Sequence, residues 1–296
     1  MKKSVFAYFL LFAAAALLTG CSGNNGTPGG SGLVETTEII VSVETSGQLK
    51  ALYFGEGDNI DLDDTIGVID TTTVVLMLRQ TEAARAAAVT RIDAARLGIE
   101  QADLGRTLAA KDFERAEALL KTGSVNRQQY DQLKTARDGA VLAEKQARVA
   151  LRAAEADLAG IEVQLARLQE QYSDCFPTAP ISGVVTDKYL DTGELAGVGK
   201  PLIKIADLDT VWVKVYLPPD DLSAVKLGDR AEVDPEDGRE QMLTGRITWI
   251  SSEAEFTPKN VQTREARANL VYAVKVTMAN PDQRLKIGMP VTVAIK

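Results

Sequence analysis

The chain has 296 residues, 33 Lys and Arg against 41 Asp and Glu, a net charge of -8 and no histidine. An acidic surface does not suit phosphate backbones, so nucleic acid is excluded as the expected partner. The missing histidine removes Ser-His-Asp and Cys-His catalysis and the commonest metal ligand, and two cysteines, Cys21 and Cys175, can build neither a disulfide framework nor a thiolate zinc cluster.

Met1 to Cys21 has the form of a targeting segment: Lys2 and Lys3 precede an apolar run, Val5 to Leu18, that is too short to span a bilayer. Its end, Leu18-Thr19-Gly20-Cys21, resembles a bacterial lipobox, which implies cleavage before Cys21 and acylation there. Several acyl chains anchor stably where one does not. Ser22 to Gly32 is rich in Gly, Ser and Asn and reads as a flexible tether. A strand candidate follows at Ile39-Ile40-Val41-Ser42-Val43.

Next comes an internal repeat. Ser46-Gly47-Gln48-Leu49, Gly55-Glu56-Gly57-Asp58 and Ile66-Gly67-Val68-Ile69 align without gaps, 136 residues later, on Ser182-Gly183-Val184-Val185, Asp191-Thr192-Gly193-Glu194 and Leu202-Ile203-Lys204-Ile205. Both copies are short strands broken by glycine-bearing turns. Two such halves interlocking into one small β-sandwich force everything between them to leave and return. The acidic group Glu56, Asp58, Asp61, Asp63 and Asp64 in the first copy lacks EF-hand spacing and a closing Glu, so it reads as a solvated turn.

The intervening stretch, Thr73 to Tyr172, has no proline, many alanines and apolar residues three and four apart. This predicts a helical hairpin. Its turn falls at Lys121-Thr122-Gly123-Ser124-Val125-Asn126, where Gly123 can stop one helix and Ser124 or Asn126 can cap the next, Asn126 standing three residues before Gln129. Arms of about 45 to 50 residues, at about 1.5 Å per residue, give a rod on the order of 70 Å. The second arm carries a heptad seam of Leu151, Ala154, Leu158, Ile161, Leu165, Leu168 and Tyr172. The first arm answers less regularly, with Leu97, Leu104 and Leu108 plus Ala83 and Ala94. Cys175, just after the rod, reads as a small buried apolar residue.

Beyond Leu208 the pattern changes to strands of β-branched and aromatic residues at 211–217, 230–233, 245–250, 271–276 and 290–295, with a short helix at Leu222 to Val225. Strands at this spacing predict a small antiparallel barrel, which strand 39–43 joins. The expected architecture is mixed α and β and elongated. It comprises a signal peptide (1–20), a tether (21–32), a barrel (33–45 with 207–296), a split sandwich (46–72 with 175–206) and an inserted hairpin (73–174).

The two halves of the sandwich resemble lipoyl and biotinyl carrier domains. Such carriers hold their modified lysine on the turn between the halves, where this chain has the rod; Lys188 lies inside the second half, so a carrier role is disfavoured. Lipobox, split lipoyl-like domain, inserted hairpin and trailing barrel together resemble the haemolysin D family of periplasmic adaptors, or membrane fusion proteins. That resemblance implies an assembly subunit without catalysis or cofactor, lipid-anchored in the periplasm on the inner membrane, with the outer membrane as the other choice. It implies a ring, as a hexamer, that joins an inner-membrane transporter to a TolC-like outer-membrane duct. In the family the duct is contacted by a tip motif of Arg, Leu and Ser with three and six residues between them, matched here by Arg115, Leu119 and Asn126, with Asn in place of Ser. The segment Glu253 to Arg264 resembles a barrel loop of adaptors serving ABC exporters, and the chain ends after Ile295 where RND adaptors usually continue. Both features favour an ABC-type partner over an RND pump. A lipid-anchored coiled-coil scaffold with no transport role is the alternative of another class.

Overall fold

The computed structural model describes residues 27–238, 241–256 and 270–296. Cys21, the signal segment and most of the loop Glu253 to Arg264 lie outside the described residues. The architecture is mixed α and β and elongated: a β-sandwich with a long helical hairpin inserted in it, continuous with a β-barrel.

The sandwich is assembled from the two sequence repeats as an interlocked pair. Its first half supplies β2 (Gly47–Leu52), β3 (Asn59–Ile60) and β4 (Gly67–Ile69); its second supplies β5 (Gly183–Lys188), β6 (Leu195–Ala196) and the start of β7 (Pro201–Leu217). The halves exchange strands. β2 pairs with β6 through Gly47 and Ala196, and β3 pairs with β5 through Ile60 and Gly183, each contact being the other's image under the 136-residue offset. The same symmetry places Gly57 N on Val185 O at 2.8 Å and Gly193 N on Leu49 O at 2.7 Å. Gly57 and Gly193, at φ of 90° and 98°, occupy the left-handed region that glycine enters without a Cβ penalty. Equivalent apolar residues then meet in one core: Leu49 with Val185, Ile60 with Ala196, Ile66 with Leu202, and Ile69 with Ile205.

The acidic group sits at turns of this sandwich. Asp58 Oδ2 accepts from Gly55 N at 2.7 Å and Asp64 Oδ2 accepts from Asp61 N at 3.0 Å, while Asp63 takes a φ of 66°. Local backbone bonding of this kind is what favours Asp at turns.

The barrel closes through six strands: β7, β11 (Leu270–Ala279), β9 (Leu243–Ile250), β8 (Arg230–Asp234), β12 (Pro290–Ile295) and β1 (Gly29–Ser42), which returns to β7. A two-residue strand, β10 (Glu255–Phe256), extends β11, and a single turn of helix, α3 (Pro219–Leu222), follows β7. That turn lies three residues earlier than the sequence suggested, because Pro219 is accommodated at a first helical position. Inside the barrel, Val211, Val213, Val215 and Leu217 are fully buried and alternate with outward Trp212, Lys214 and Tyr216.

Two expectations about β1 change. The strand begins at Gly29, inside the stretch read as tether, and pairs from Gly29 to Leu33 with β12. Composition misleads here because a Cβ at Gly29 would collide with the Val293 carbonyl and one at Gly32 with the Lys214 carbonyl. These glycines permit close backbone approach rather than freedom. In addition, residues 38–42 pair with 201–206 of β7, and Val41 and Val43 pack in the sandwich core, so this segment belongs to both β units rather than to the barrel alone. At the crossover Thr36 is 9% exposed; its hydroxyl donates to the carbonyls of Asp207 and Thr210, the latter at 2.9 Å.

The rod consists of α1 (Thr72–Lys121) and α2 (Arg127–Ser173), about 70 Å long at 1.5 Å per residue. The seam on α2 lies where periodicity placed it: Leu151, Ala154, Leu158, Ile161 and Leu165 are half-buried and Leu168 is buried. Tyr172 departs from it, 38% exposed and packed edge-on to Phe176 at 5.1 Å. The α1 seam is a correction. Leu97, Leu104 and Leu108 are 66, 68 and 60% exposed, and Ala83 and Ala94 are also exposed. The residues that face α2 are Ala88, Ile92, Ala95, Ile99, Ala102, Arg106, Ala109, Phe113, Ala116 and Leu120, again in alternating steps of three and four. Alanines at half of these positions let the helices approach closely. The larger leucines were the stronger sequence signal but occupy the opposite side.

Candidate docking tip and its anchored root

The root of the rod is held by the sandwich. Ile66 N donates to Pro177 O and Ile69 N to Cys175 O, both at 2.8 Å, so the strand entering α1 and the segment leaving α2 are tied together. Asp70 starts the helix: its Oδ1 accepts from Thr72 N at 2.9 Å and from Thr72 Oγ1 at 2.6 Å, and Lys50 Nζ lies 3.1 Å from Oδ2. The Thr72 bonds, then Lys50, hold the Asp70 carboxyl at about 2. Cys175 is buried at this junction; its thiol donates to Gln171 O at 3.3 Å, and burial raises its pKa, keeping it protonated.

Midway along the rod a charged contact crosses the seam. Arg106 reaches Asp103 at 2.6 Å on its own helix and Glu144 at 2.8 Å on the other, and Glu144 also takes Arg148 at 2.7 Å. The bond to Asp103 and the proximity of Glu144 both raise the pKa of Arg106.

The turn at the far end forms as the sequence requires. Gly123 adopts a φ of 73° and donates to Leu120 O at 3.1 Å, while Ser124 N donates to Leu119 O at 3.0 Å. Asn126 caps α2: its Oδ1 accepts from Gln129 N at 2.8 Å. Arg115 has a side chain 71% exposed, with only a 3.7 Å contact to Asp112, and Leu119, one turn further on, is 45% exposed. The turn thus presents a cationic and an apolar group together on one face of α1, free of the seam. Asn126 lies across the turn on α2, its side-chain oxygen engaged in the cap.

Sequence reasoning missed a clamp beneath these residues. Phe113 and Tyr130 meet across the helices with ring centroids 5.3 Å apart, Arg137 stacks 4.4 Å from the Phe113 centroid, and Arg127 lies 5.4 Å from that of Tyr130. The signal was available: Phe113 and Tyr130 are the rod's only aromatics apart from Tyr172, one on either side of the turn.

On the barrel's outer wall the two tryptophans of the chain, Trp212 and Trp249, line one shallow depression with Lys214, Thr248 and Lys275. Lys275 Nζ lies 3.9 Å from the Trp212 centroid. Lys188 is an exposed strand-end residue paired at 2.5 Å with Asp191. Among the described residues no helix is long and apolar enough to cross a membrane.

A split sandwich carrying an inserted rod and a closed barrel defines a class, and comparison with known proteins agrees with it. Residues 37–207 match the RND membrane fusion protein barrel-sandwich hybrid domain, and residues 210–296 match the CusB-like β-barrel domain. A UPF0194 membrane protein of Acidithiobacillus ferridurans is 30% identical over 288 residues, covering 89% of this chain and 85% of its own. A UPF0194 membrane protein of Yersinia pseudotuberculosis is 27% identical over 286 residues, covering 88% and 87%. Among solved structures, MacA from Actinobacillus actinomycetemcomitans superposes with a TM-score of 0.61 at 19% identity, covering 92% of this chain and 79% of that one. The chain belongs to the membrane fusion proteins, the periplasmic adaptors of efflux systems, a family that works between an inner-membrane transporter and an outer-membrane channel.

Proposed function

We propose that this chain is a haemolysin D-type adaptor that couples an ABC-type inner-membrane transporter to a TolC-like duct for efflux or export across the envelope. The observation that carries this reading is the rod held at both ends by one sandwich, which makes the turn at Gly123 a free end about 70 Å from its root. In this reading Arg115 and Leu119 touch the duct directly. Asn126 shapes the turn that presents them. Acylation at Cys21 anchors the other end: the eight residue-to-residue steps from Cys21 to Gly29 span at most about 30 Å, which keeps the barrel close to the membrane. Six copies in a ring, hairpins side by side, would enclose the conduit. The sequence of the loop Glu253 to Arg264 supports the ABC assignment. A second reading, an RND-type partner, is favoured by the family descriptions, which name RND and CusB-like proteins.

Purification of the tagged chain from solubilised envelopes, with mass spectrometry of what accompanies it, tests the assignment. An ABC transporter supports the first reading and an RND permease the second; recovery of neither a transporter nor a duct sinks both. Arg115→Glu combined with Leu119→Ala is expected to lower duct crosslinking and export by at least about tenfold while helix content is unchanged, a loss of about 1.4 kcal/mol of coupling per decade. Unaltered crosslinking would remove the tip residues from the assignment.

A further inference from the structure

At one place the outer wall of the barrel departs from its own strand pattern. Along β9, Gly245 and Ile247 are buried, and simple alternation would turn Trp249 inward as well. The strand does not continue that way. Lys275 of β11 pairs with Trp249 while the next residue, Val276, pairs with Ile247, so Thr248 is an extra residue on β9. Such a bulge re-aims the side chains beside it. Thr248 and Trp249 consequently both stand on the outer surface, the indole 43% exposed and next to Lys275.

On its other side Lys275 lies directly opposite Lys214 of β7. Like charges opposed across neighbouring strands destabilise the pair. Both lysines lean on one ring: Lys275 Nζ is 3.9 Å and Lys214 Nζ 5.0 Å from the Trp212 centroid. An indole face attracts cations but carries no net charge, so it does not neutralise them. Lys214 has one weak counter-charge, Glu35 at 3.9 Å, and Lys275 makes no ion pair among the described residues. In a chain of net charge -8, two lysines held together without a matching pair of carboxylates are a local exception. Read from β7 to β9, the row is cation, cation, exposed indole. With Trp212 and Thr248 these side chains line a shallow depression of about 520 Å³, a size typical of small-molecule sites. The Thr248 hydroxyl is 2.7 Å from that of Thr277, which fixes one border of the depression.

We propose that this depression binds a small organic anion built on a flat ring system, an aromatic carboxylate or sulfonate. The ring stacks on the exposed indole of Trp249, and the anionic group sits over Lys275 and Lys214, where it relieves the repulsion between them. Trp212 has a different part: with Lys275 close to its ring, it holds that ammonium group in place. Both halves of the ligand are needed. An uncharged ring leaves the lysines opposed, and a bare inorganic anion gains nothing from Trp249. The site goes beyond the adaptor reading, because it belongs to the barrel of the isolated chain and is the same whichever class of transporter the chain serves.

Trp212 and Trp249 are the only tryptophans of the chain, so indole emission reports on this depression alone. The test titrates 4-nitrobenzoate, a quenching ring with one carboxylate, into the purified full-length chain in an uncharged detergent. Saturable quenching is expected. The neutral analogue 4-nitrobenzyl alcohol should bind at least about tenfold more weakly, the scale of losing a contact to a charged group. Acetate and inorganic phosphate, at the concentrations that saturate with 4-nitrobenzoate, should leave the emission unchanged. Lys214→Gln with Lys275→Gln should bring 4-nitrobenzoate down to the level of the alcohol, and Trp249→Leu should remove saturation, read on the remaining Trp212, with circular dichroism unchanged in both variants. Equal affinity for acid and alcohol would mean that the lysines recognise nothing. Saturable quenching unaltered in the double lysine variant would mean the same. A shift in emission with phosphatidylglycerol vesicles and none with 4-nitrobenzoate would make the wall a membrane contact. Each of these results overturns the proposal. Co-purification with a transporter is a separate measurement, so failure of the adaptor reading and failure of this site are told apart.

Discussion

Individual side chains settle how the units are joined. Asn280 is 2% exposed, donates through Nδ2 to the carbonyls of Leu208 (2.8 Å) and Leu285 (3.0 Å), and accepts from Leu285 N (2.9 Å). One buried amide thus satisfies three backbone groups that water cannot reach. Asp70 does comparable work at the rod's root while remaining in contact with solvent, and its effect depends on pH. Its folded pKa of about 2 lies below the ordinary aspartate value of 3.8. The carboxylate therefore contributes stability that is fully present above about pH 4 and is lost as pH falls through about 2. Asp70→Asn is expected to lower the melting temperature near neutral pH and to show a smaller further decrease than the unaltered chain between pH 4 and pH 2. Parallel melting curves for the two proteins across that window would show Asp70 to be irrelevant to the acid response.

Elements succeed or fail in this chain according to which faces they bury. A strand that alternates inside and outside a barrel can be read directly, as Val211 to Leu217 was, because period two leaves one arrangement. A helix fifty residues long with alanines on several faces offers more than one stripe of acceptable spacing. Two heptad stripes run along α1, and size alone selected the one that faces away from α2. Ile92, 6% exposed in the seam, tests the distinction. Ile92→Ala should cost about 2 kcal/mol, the low end for such truncations because the surrounding alanines and helix edges can close on the gap. Leu104→Ala, at a larger but exposed residue, should change the stability of the unassembled chain by less than about 0.5 kcal/mol. Chemical denaturation of both variants at a concentration where the protein is monomeric measures the two values, and equal losses would place both residues in one seam.

At the scale of the whole molecule, β1 and β7 are the continuous parts. Both run through sandwich and barrel, so the rod's base and the barrel are linked by two paired strands rather than by a flexible joint. The paired strands are irregular at two places, between Val41 and Ser42 and between Thr36 and Glu38; at the latter the Thr36 hydroxyl holds the Asp207 and Thr210 carbonyls. Thr36→Val keeps the shape and removes the donor, which should cost about 1–3 kcal/mol if the carbonyls stay dry. Hydrogen exchange should then rise first at residues 36–38 and 207–210, leaving the barrel strands protected. A uniform rise over both β units would mean that Thr36 stabilises the fold without acting at a joint.

Sequence by itself determined the repeat, and with it the interlocked sandwich, because the glycine turns and apolar positions of two copies 136 residues apart permit only one mutual packing. It also determined the rod's turn, since Gly123 supplies a positive φ and Asn126 a cap, both local demands of the backbone. Arg115 and Leu119 could be named, though not their shared exposure nor the Phe113–Tyr130 clamp below them, since both depend on how the two arms are rotated about their axes. Tertiary structure alone decided the fate of Gly29 to Gly32, where close contact with β12 and β7, rather than flexibility, calls for glycine. It alone decided which stripe of α1 faces α2. That choice rests on the close approach alanines allow along the whole seam, a sum over many contacts that no single residue announces, and it leaves the leucines outside.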